Sequence, residues 1–312
     1  MSLNKIYHNT ESEFQQIGVI DTYFGKTLVT DGKTQSTQFD EFAYHESLVH
    51  PALLNFAHYN KRGAKTVFIG GGGELATARE ILRHTSVERV VMVDLDEKVV
   101  DVSVEYLPEW GGMVVKNDPR LELIIGDAYA YMLNCKETFD CVIMDISDPI
   151  EAGPGIMLYT KELYKHVTTI LSPNGVFVTQ AGTADSVPHE HANAGARNTT
   201  CFGPIHNTLN EAFSCVSSYT QNIPSFGGDW GFVMAFNPID KEKSVEVVDE
   251  WRSISPVILD TLIEQYITGG ETSLKMYDGI THTRMFHLTK ALRKNLAKDH
   301  RIMTKDDPIF MY

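Results

Sequence analysis

The sequence predicts an α/β fold with a doubly wound, mainly parallel sheet, preceded by a small antiparallel β domain. Three observations carry this expectation. Short apolar runs alternate with helical patterns from residue 64 onward. A glycine turn, Gly70 to Gly73, links the first apolar run directly to the first helix. Residues 17–38, by contrast, are rich in Ile, Val, Thr, Tyr and Phe and broken by Phe24-Gly25-Lys26 and Asp31-Gly32-Lys33, the pattern of hairpins rather than of crossovers.

Taken in order, the chain first offers that small sheet, then a helical pattern from Asp40 with Phe42, Leu48, Val49, Leu53, Leu54 and Phe56 on a core face and Pro51 expected to kink it. Val67-Phe68-Ile69 reads as a buried strand, and Ala76, Ala78, Ile81 and Leu82 as the helix after the glycine turn. Gly71-x-Gly73-x-x-Ala76 fits a nucleotide-binding fingerprint, in which missing side chains let backbone N–H groups and a helix N-terminus approach a ligand. A second strand, Arg89 to Val93, ends in Asp94 about twenty residues on, where a carboxylate can accept both ribose hydroxyls. This makes the sheet Rossmann-like, of the kind used by methyltransferases.

The alternation continues with a helix from Glu97 to Leu107, a turn-rich passage, a strand Leu121 to Ile125 closed by Gly126-Asp127, a helix Ala128 to Cys135, and a strand Phe139 to Met144. Next come a helix Lys161 to Leu171, a strand Gly175 to Thr179, a polar loop or lid from Thr183 to Thr200, and a helix Ile205 to Phe213. A closing hairpin (Cys215 to Thr220, Gly231 to Phe236) and helices Pro256 to Ile267 and Arg284 to Leu296 end the fold. Residues 1–62 are expected to form the N-terminal domain with its linking helix, and 63–312 the catalytic domain. Ligands of such sheets bind beyond the carboxyl ends of the strands. Glu74, Asp94, Asp127, Asp145 and Asp148 all follow strand ends, so one register gathers five carboxylates on one rim.

Composition narrows the partners. Forty-one acidic residues against 27 basic ones give a net charge of −14, which disfavours nucleic acid and anionic membranes. No apolar run is long enough to span a bilayer, and the first ten residues lack the apolar segment of a signal peptide, so a cytoplasmic protein is expected. Cys135, Cys141, Cys201 and Cys215 show no paired spacing and read as reduced thiols. His189-Glu190-His191 sits on a polar stretch and reads as a solvated face; no metal is expected.

The segments DGKTQSTQFDEFAYHESLVHPALL, GGGGELATARE, VVMVDLDEKVV, GDA, MDISDPIEAGP, LYTKELY, GVFVTQAG, IPSFGGDWGFVMA and KMYDGITHTRMF, in this order, resemble the polyamine aminopropyltransferases. TARE, DPIEAGP followed by LYTKELY, TQAG and DWGFVMA are most similar to the thermospermine-forming branch. The resemblance implies transfer of the aminopropyl group of decarboxylated S-adenosylmethionine, a co-substrate rather than a prosthetic group, to spermidine. The products would be thermospermine and methylthioadenosine; a spermidine synthase using putrescine, or a spermine synthase, is the alternative within the family. It also implies a homodimer.

By motif match, Asp94 would hold the ribose, Asp127 with Ala128 the adenine, and Glu74 the aminopropyl ammonium. Gly71, Gly73, Gln15, Gln35 and His50 would complete the donor site. Asp145 would be the catalytic base with Tyr44 beside it, and His45, Asp148 and Gln180 would line the acceptor's approach. The chain departs from the family at Leu75, where a glycine is usual, at Phe226, where spermidine synthases have a tyrosine, and at Ile280, about where they carry an acid. The last two would make the distal acceptor site less polar and suit a longer amine.

The residue chemistry agrees, because a sulfonium and ammonium donor calls for carboxylates. A methyltransferase on the same sheet would share the glycine turn, Asp94 and Asp127, but Glu74 would repel the carboxylate of its donor. A catalytically dead polyamine sensor would be expected to lose Asp145.

Overall fold

The computed structural model describes residues 3–151, 153, 155–184, 200–238 and 244–311. Four short segments fold back on one another as an antiparallel meander: β1 (Lys5–Glu11), β2 (Gln16–Thr22), β3 (Gly25–Thr30) and β4 (Lys33–Thr37). The Asp31-Gly32 turn makes the tightest return possible, both residues having positive φ (49° and 76°), as the primed hairpin turns demand. Alternation sends Ile17, Val19 and Leu28 to one face, where they pack on Ala76, Val99, Val102, Leu107 and Trp110 of the larger unit.

The long helix α1 (Glu41–Asn60) continues through Pro51 and is buried on nearly every side, its buried polar residues Glu41, His45, Glu46 and His50 each paired with a neighbour. It lies against the main sheet and contributes Leu48, Val49, Leu53 and Phe56 to its largest core.

The main sheet is built by β5 (Thr66–Gly71), α2 (Ala76–Leu82), β6 (Arg89–Asp94), α3 (Glu97–Tyr106), α4 (Gly112–Lys116), β7 (Leu121–Ile125), α5 (Ala128–Asn134), β8 (Phe139–Asp145), α6 (Lys161–Ile170) and β9 (Leu171–Thr183). It is completed by α7 (Phe202–Asn210), β10 (Cys215–Ile223) and β11 (Gly228–Phe236). The strand order is β10-β11-β9-β8-β5-β6-β7. The five strands β9 to β7 of that order are parallel, and β10 and β11 add an antiparallel hairpin at one edge. Strands such as VFI and CVIM, buried on both faces, carry continuous apolar runs for this reason. One core lies under α1 and α2, the other under α5, α6 and α7.

Beyond the sheet lie α8 (Ser244–Arg252), α9 (Pro256–Tyr266), α10 (Gly279–Phe286) and α11 (Lys290–Lys298). The single helix expected from Arg284 to Leu296 is thus two helices. The chain breaks at His287 to Thr289, where the Thr289 side chain caps α11 by accepting from the Leu292 N–H. Strand β1 and helix α8 were not expected, and the polar stretch 185–199 with His189-Glu190-His191 lies outside the described residues. Among the described residues, no helix is long and apolar enough to cross a membrane.

Candidate active site

The site begins where the sheet changes direction. From β5 the chain moves to β6 and β7 on one side, then returns to lay β8 on the other. The carboxyl ends of β5 and β8 are therefore neighbours with connections leaving in opposite directions, the place where open α/β sheets form a crevice. Gly71 pairs with Asp145 in the register, and the Gly72 N–H donates to the Asp145 carbonyl at 2.9 Å. Both glycines have positive φ (81° and 80°), and a Cβ at Gly71 would collide with that carbonyl. At Gly73 a Cβ would come within 2.9 Å of Asp94 Oδ2. Leu75 takes the left-handed conformation as well (φ 70°), although its side chain is fully buried.

A cavity of about 510 Å³ opens over this junction, a volume suited to a small ligand. Its acidic lining is Asp31, Glu74, Asp94, Asp96, Asp127, Asp145 and Asp148. On the β5–β6–β7 side, burial raises Asp94 to about 6, although backbone N–H groups of Asp96 and Gly73 favour its charge. Asp96 bridges to the small sheet: its Oδ2 accepts from the Ser12 hydroxyl at 2.6 Å and from Gln15 Nε2 at 3.0 Å. Asp127 caps α5, accepting from the Tyr129 N–H at 2.8 Å.

On the β8–β9 side, both oxygens of Asp145 hold a donor. The Tyr44 hydroxyl donates to Oδ1 at 2.8 Å and the Thr77 hydroxyl to Oδ2 at 2.5 Å. Burial and the adjacent Asp145 push the Tyr44 phenol well above its ordinary range, so it remains a donor. Burial also raises Asp148, which accepts from Gln180 Nε2 at 3.1 Å; the same amide group contacts the Ile146 carbonyl and the Tyr159 hydroxyl. Phe226, which touches both Tyr44 and Trp230, forms an aromatic wall.

Behind Glu74 lies a buried charge relay. His45 Nε2 pairs with Glu74 Oε1 at 2.5 Å, and His45 Nδ1 lies 3.0 Å from Glu41 Oε2, one helical turn away. Arg79 Nη2 donates to Glu41 at 2.8 Å. Burial opposes a charged His45, but Glu74 and Glu41 overcome it and hold the imidazolium up to about 10. For Glu41 burial is outweighed by His45 and Arg79, which bring it down to about 2.

Thirteen of the residues singled out in the sequence therefore meet at one cavity: Gln15, Gln35, Tyr44, Gly71, Gly73, Glu74, Asp94, Asp127, Ala128, Asp145, Asp148, Gln180 and Phe226. Three do not. His45 is not a wall residue but stands behind Glu74. His50 is fully buried, 3.1 Å from His84 and 3.2 Å from Glu80, which keeps it from reaching a ligand in the cavity. Ile280 lies on the surface of α10, 72% exposed and away from the cavity, so it cannot shape the acceptor site. Sequence reasoning passed over Asp96, Thr77 and Trp230, all near the reacting rim. Asp96 carried a signal, since an acid before a helical pattern is an N-cap; Thr77 and Trp230 carried none, their direction being set by tertiary packing.

All four cysteines are free thiols, and three are buried. Among the described residues, no group of His, Cys, Asp and Glu side chains is arranged to hold a metal ion.

A switch-point crevice with a row of carboxylates defines an α/β protein whose cleft suits cationic ligands. The family model described as the spermine/spermidine synthase domain matches residues 41–246. The chain is 40% identical to thermospermine synthase ACAULIS5 of Arabidopsis thaliana over 317 aligned residues, covering 100% of this chain and 83% of that protein. It is also 40% identical to the polyamine aminopropyltransferase of Aeropyrum pernix, covering 96% and 87%. A crystal structure of spermidine synthase in complex with the transition-state analogue AdoDATO superposes with a TM-score of 0.77 at 26% identity, covering 95% of this chain and 90% of that one. The chain belongs to the spermine/spermidine synthase family, an enzyme family of aminopropyltransferases.

Proposed function

We propose that the protein moves the aminopropyl group of decarboxylated S-adenosylmethionine to spermidine, releasing thermospermine and methylthioadenosine. The observation that carries this reading is the cavity lined by seven carboxylates, with the Tyr44 hydroxyl and Thr77 holding Asp145. Asp94 suits the donor's ribose, Asp127 and Ala128 its adenine, and Glu74 its ammonium. A donor that kept its carboxylate would meet Glu74 and be repelled.

The acceptor nitrogen attacks the carbon beside the sulfonium in line. The N–C bond forms, the C–S bond breaks with its electron pair going to sulfur, and the neutral thioether leaves. An alkylamine holds its proton to a pKa near 10, so about 4 kcal/mol is needed at neutral pH to expose the lone pair. Asp145 takes the amine proton, while the Tyr44 hydroxyl and Gln180 set the direction of approach. Asp148, which accepts from Gln180 Nε2 at 3.1 Å, lines the approach of the attacking nitrogen.

Spermidine as acceptor is supported by the aromatic wall of Phe226, Trp230 and Tyr44, which offers a short diamine's far ammonium no carboxylate of its own, and by the 40% identity to a plant thermospermine synthase. Four free thiols suit the reducing cytoplasm. A homodimer joined through the N-terminal sheet is supported by exposed Leu3, Ile6, Tyr23 and Phe39, and analytical ultracentrifugation tests it. For the reaction, the protein is incubated with decarboxylated S-adenosylmethionine and labelled spermidine, and thermospermine is separated from spermine by chromatography. Spermine as the sole product would overturn the choice of end; no methylthioadenosine would overturn the reaction.

A further inference from the structure

An ammonium-binding carboxylate must be ionised and aimed before its ligand arrives. Glu74 stands where neither is assured: it is nearly buried, and it faces Glu41 from α1 and Asp145 from β8, both negative. Crowded acids in a dry cleft take up a proton unless a cation is placed among them. The cation present is His45. Glu41 and His45 lie one turn apart on α1, so both face α2, and Arg79 of that helix holds Glu41 from the far side while also donating to the Trp110 carbonyl at 3.1 Å. With Glu41 anchored, Nδ1 is fixed at 3.0 Å from Glu41, and Nε2 lies 2.5 Å from Glu74 Oε1 as a close ion pair without the alignment of a hydrogen bond.

We infer that His45 is a positioning residue for the donor: clamped between Glu41 and Glu74, it aims the Glu74 carboxylate at the aminopropyl ammonium and keeps it ionised. One Glu74 oxygen is taken by His45 and the other meets the ligand. The inference rests on the donor reading given above, and it assigns to His45 a role different from contact with the acceptor. The groups facing Glu74 are Glu41, Tyr44 and His45 from α1 and Asp145 from β8, with Arg79 of α2 behind Glu41. Only His45 among them is a cation in contact with it, and its removal leaves three acids to share the cleft. Burial already lifts Glu74 above its ordinary range with His45 beside it, and without His45 it takes up a proton more readily as pH falls.

The test is calorimetric titration of the full chain, His45→Gln and Glu41→Gln with two nucleosides, decarboxylated S-adenosylmethionine and methylthioadenosine, which lacks the ammonium. We expect His45→Gln to weaken the first by about tenfold or more near pH 7, with the deficit growing toward pH 6, and to leave the second within about twofold. Glu41→Gln, which does not reach the cavity, should shift binding in the same sense by a smaller factor; it carries the test if His45→Gln melts before it can be titrated. Equal weakening of both nucleosides would make His45 merely structural and overturn the inference. So would an unchanged donor Kd accompanied by a raised KM for spermidine, the signature of an acceptor ligand. If the unaltered protein binds neither nucleoside, the donor reading itself fails, a result distinct from either.

Discussion

At the scale of single residues, the decisive group is Asp145, whose two oxygens already hold Tyr44 and Thr77. Asp145→Asn keeps the shape and both neighbours, so it should spare donor affinity and lower kcat by about a hundredfold or more, as loss of a general base does; single-turnover kinetics check this, and a variant with most of its turnover removes Asp145 from that role. Asp94 supplies a pH dependence. In the proposed ribose-binding role it would be charged to accept two hydroxyls, and burial raises it to about 6. Donor affinity should therefore be constant above that value and weaken as pH falls below it, and Asp94→Asn should give a weak, pH-flat Kd by titration. The acids on the rim were legible because each follows a strand end, where topology alone fixes position. His45, His50 and Ile280 were misplaced because a motif fixes order along the chain but not which side of a helix faces the cavity. His50 points from α1 toward Glu80 and His84, and Ile280 falls on the outer side of α10.

At the scale of elements, the glycine turn shows two opposed costs. Leu75 sits in the left-handed conformation, which costs a leucine about 1–2 kcal/mol, yet its side chain is fully buried. Leu75→Gly relieves the strain but removes a core side chain, worth about 2–5 kcal/mol, so urea unfolding should show a net loss of about 1–3 kcal/mol. A stability gain would mean that the side chain packs loosely. Helix α1 is fastened to the segment before α10 by Glu46, whose carboxylate accepts from the backbone N–H groups of Lys275, Met276 and Tyr277 at 2.8–2.9 Å. Glu46→Ala leaves three donors unpaired and should cost on the order of 3 kcal/mol in the same measurement. The parallel strands and their helices were readable from periodicity because each buried strand is a continuous apolar run between turns. The break between α10 and α11 was not, since Thr289 interrupts an otherwise unbroken helical pattern by capping, a local hydrogen bond rather than a change of hydrophobic period. Strand β1 escaped notice because its residues KIYHNTE are mostly exposed and only pairing with β2 orders them.

At the scale of the molecule, residues of the small sheet line one side of the cavity and Phe226 and Trp230 of the β10–β11 hairpin another, so in the proposed function one cavity serves both substrates. The acceptor wall sets the remaining prediction. With Ile280 outside the site, the case for a longer amine rests on Phe226 and its aromatic neighbours, and an unpaired ammonium buried against them costs several kcal/mol. The unaltered protein should prefer spermidine to putrescine in kcat/KM, and Phe226→Tyr should narrow that ratio; a higher value for putrescine in the unaltered protein would make it a spermidine synthase. The joint between Gly72 and Asp145 bears on anyone wishing to redesign this enzyme. Because the glycine turn and Asp145 end two strands that are paired along their length and joined again by this bond, the two sides of the proposed site are not separable modules. Selection for a new donor that moves the glycine turn will drag the base with it, and improved variants should arise as compensating pairs on β5 and β8 rather than as independent steps.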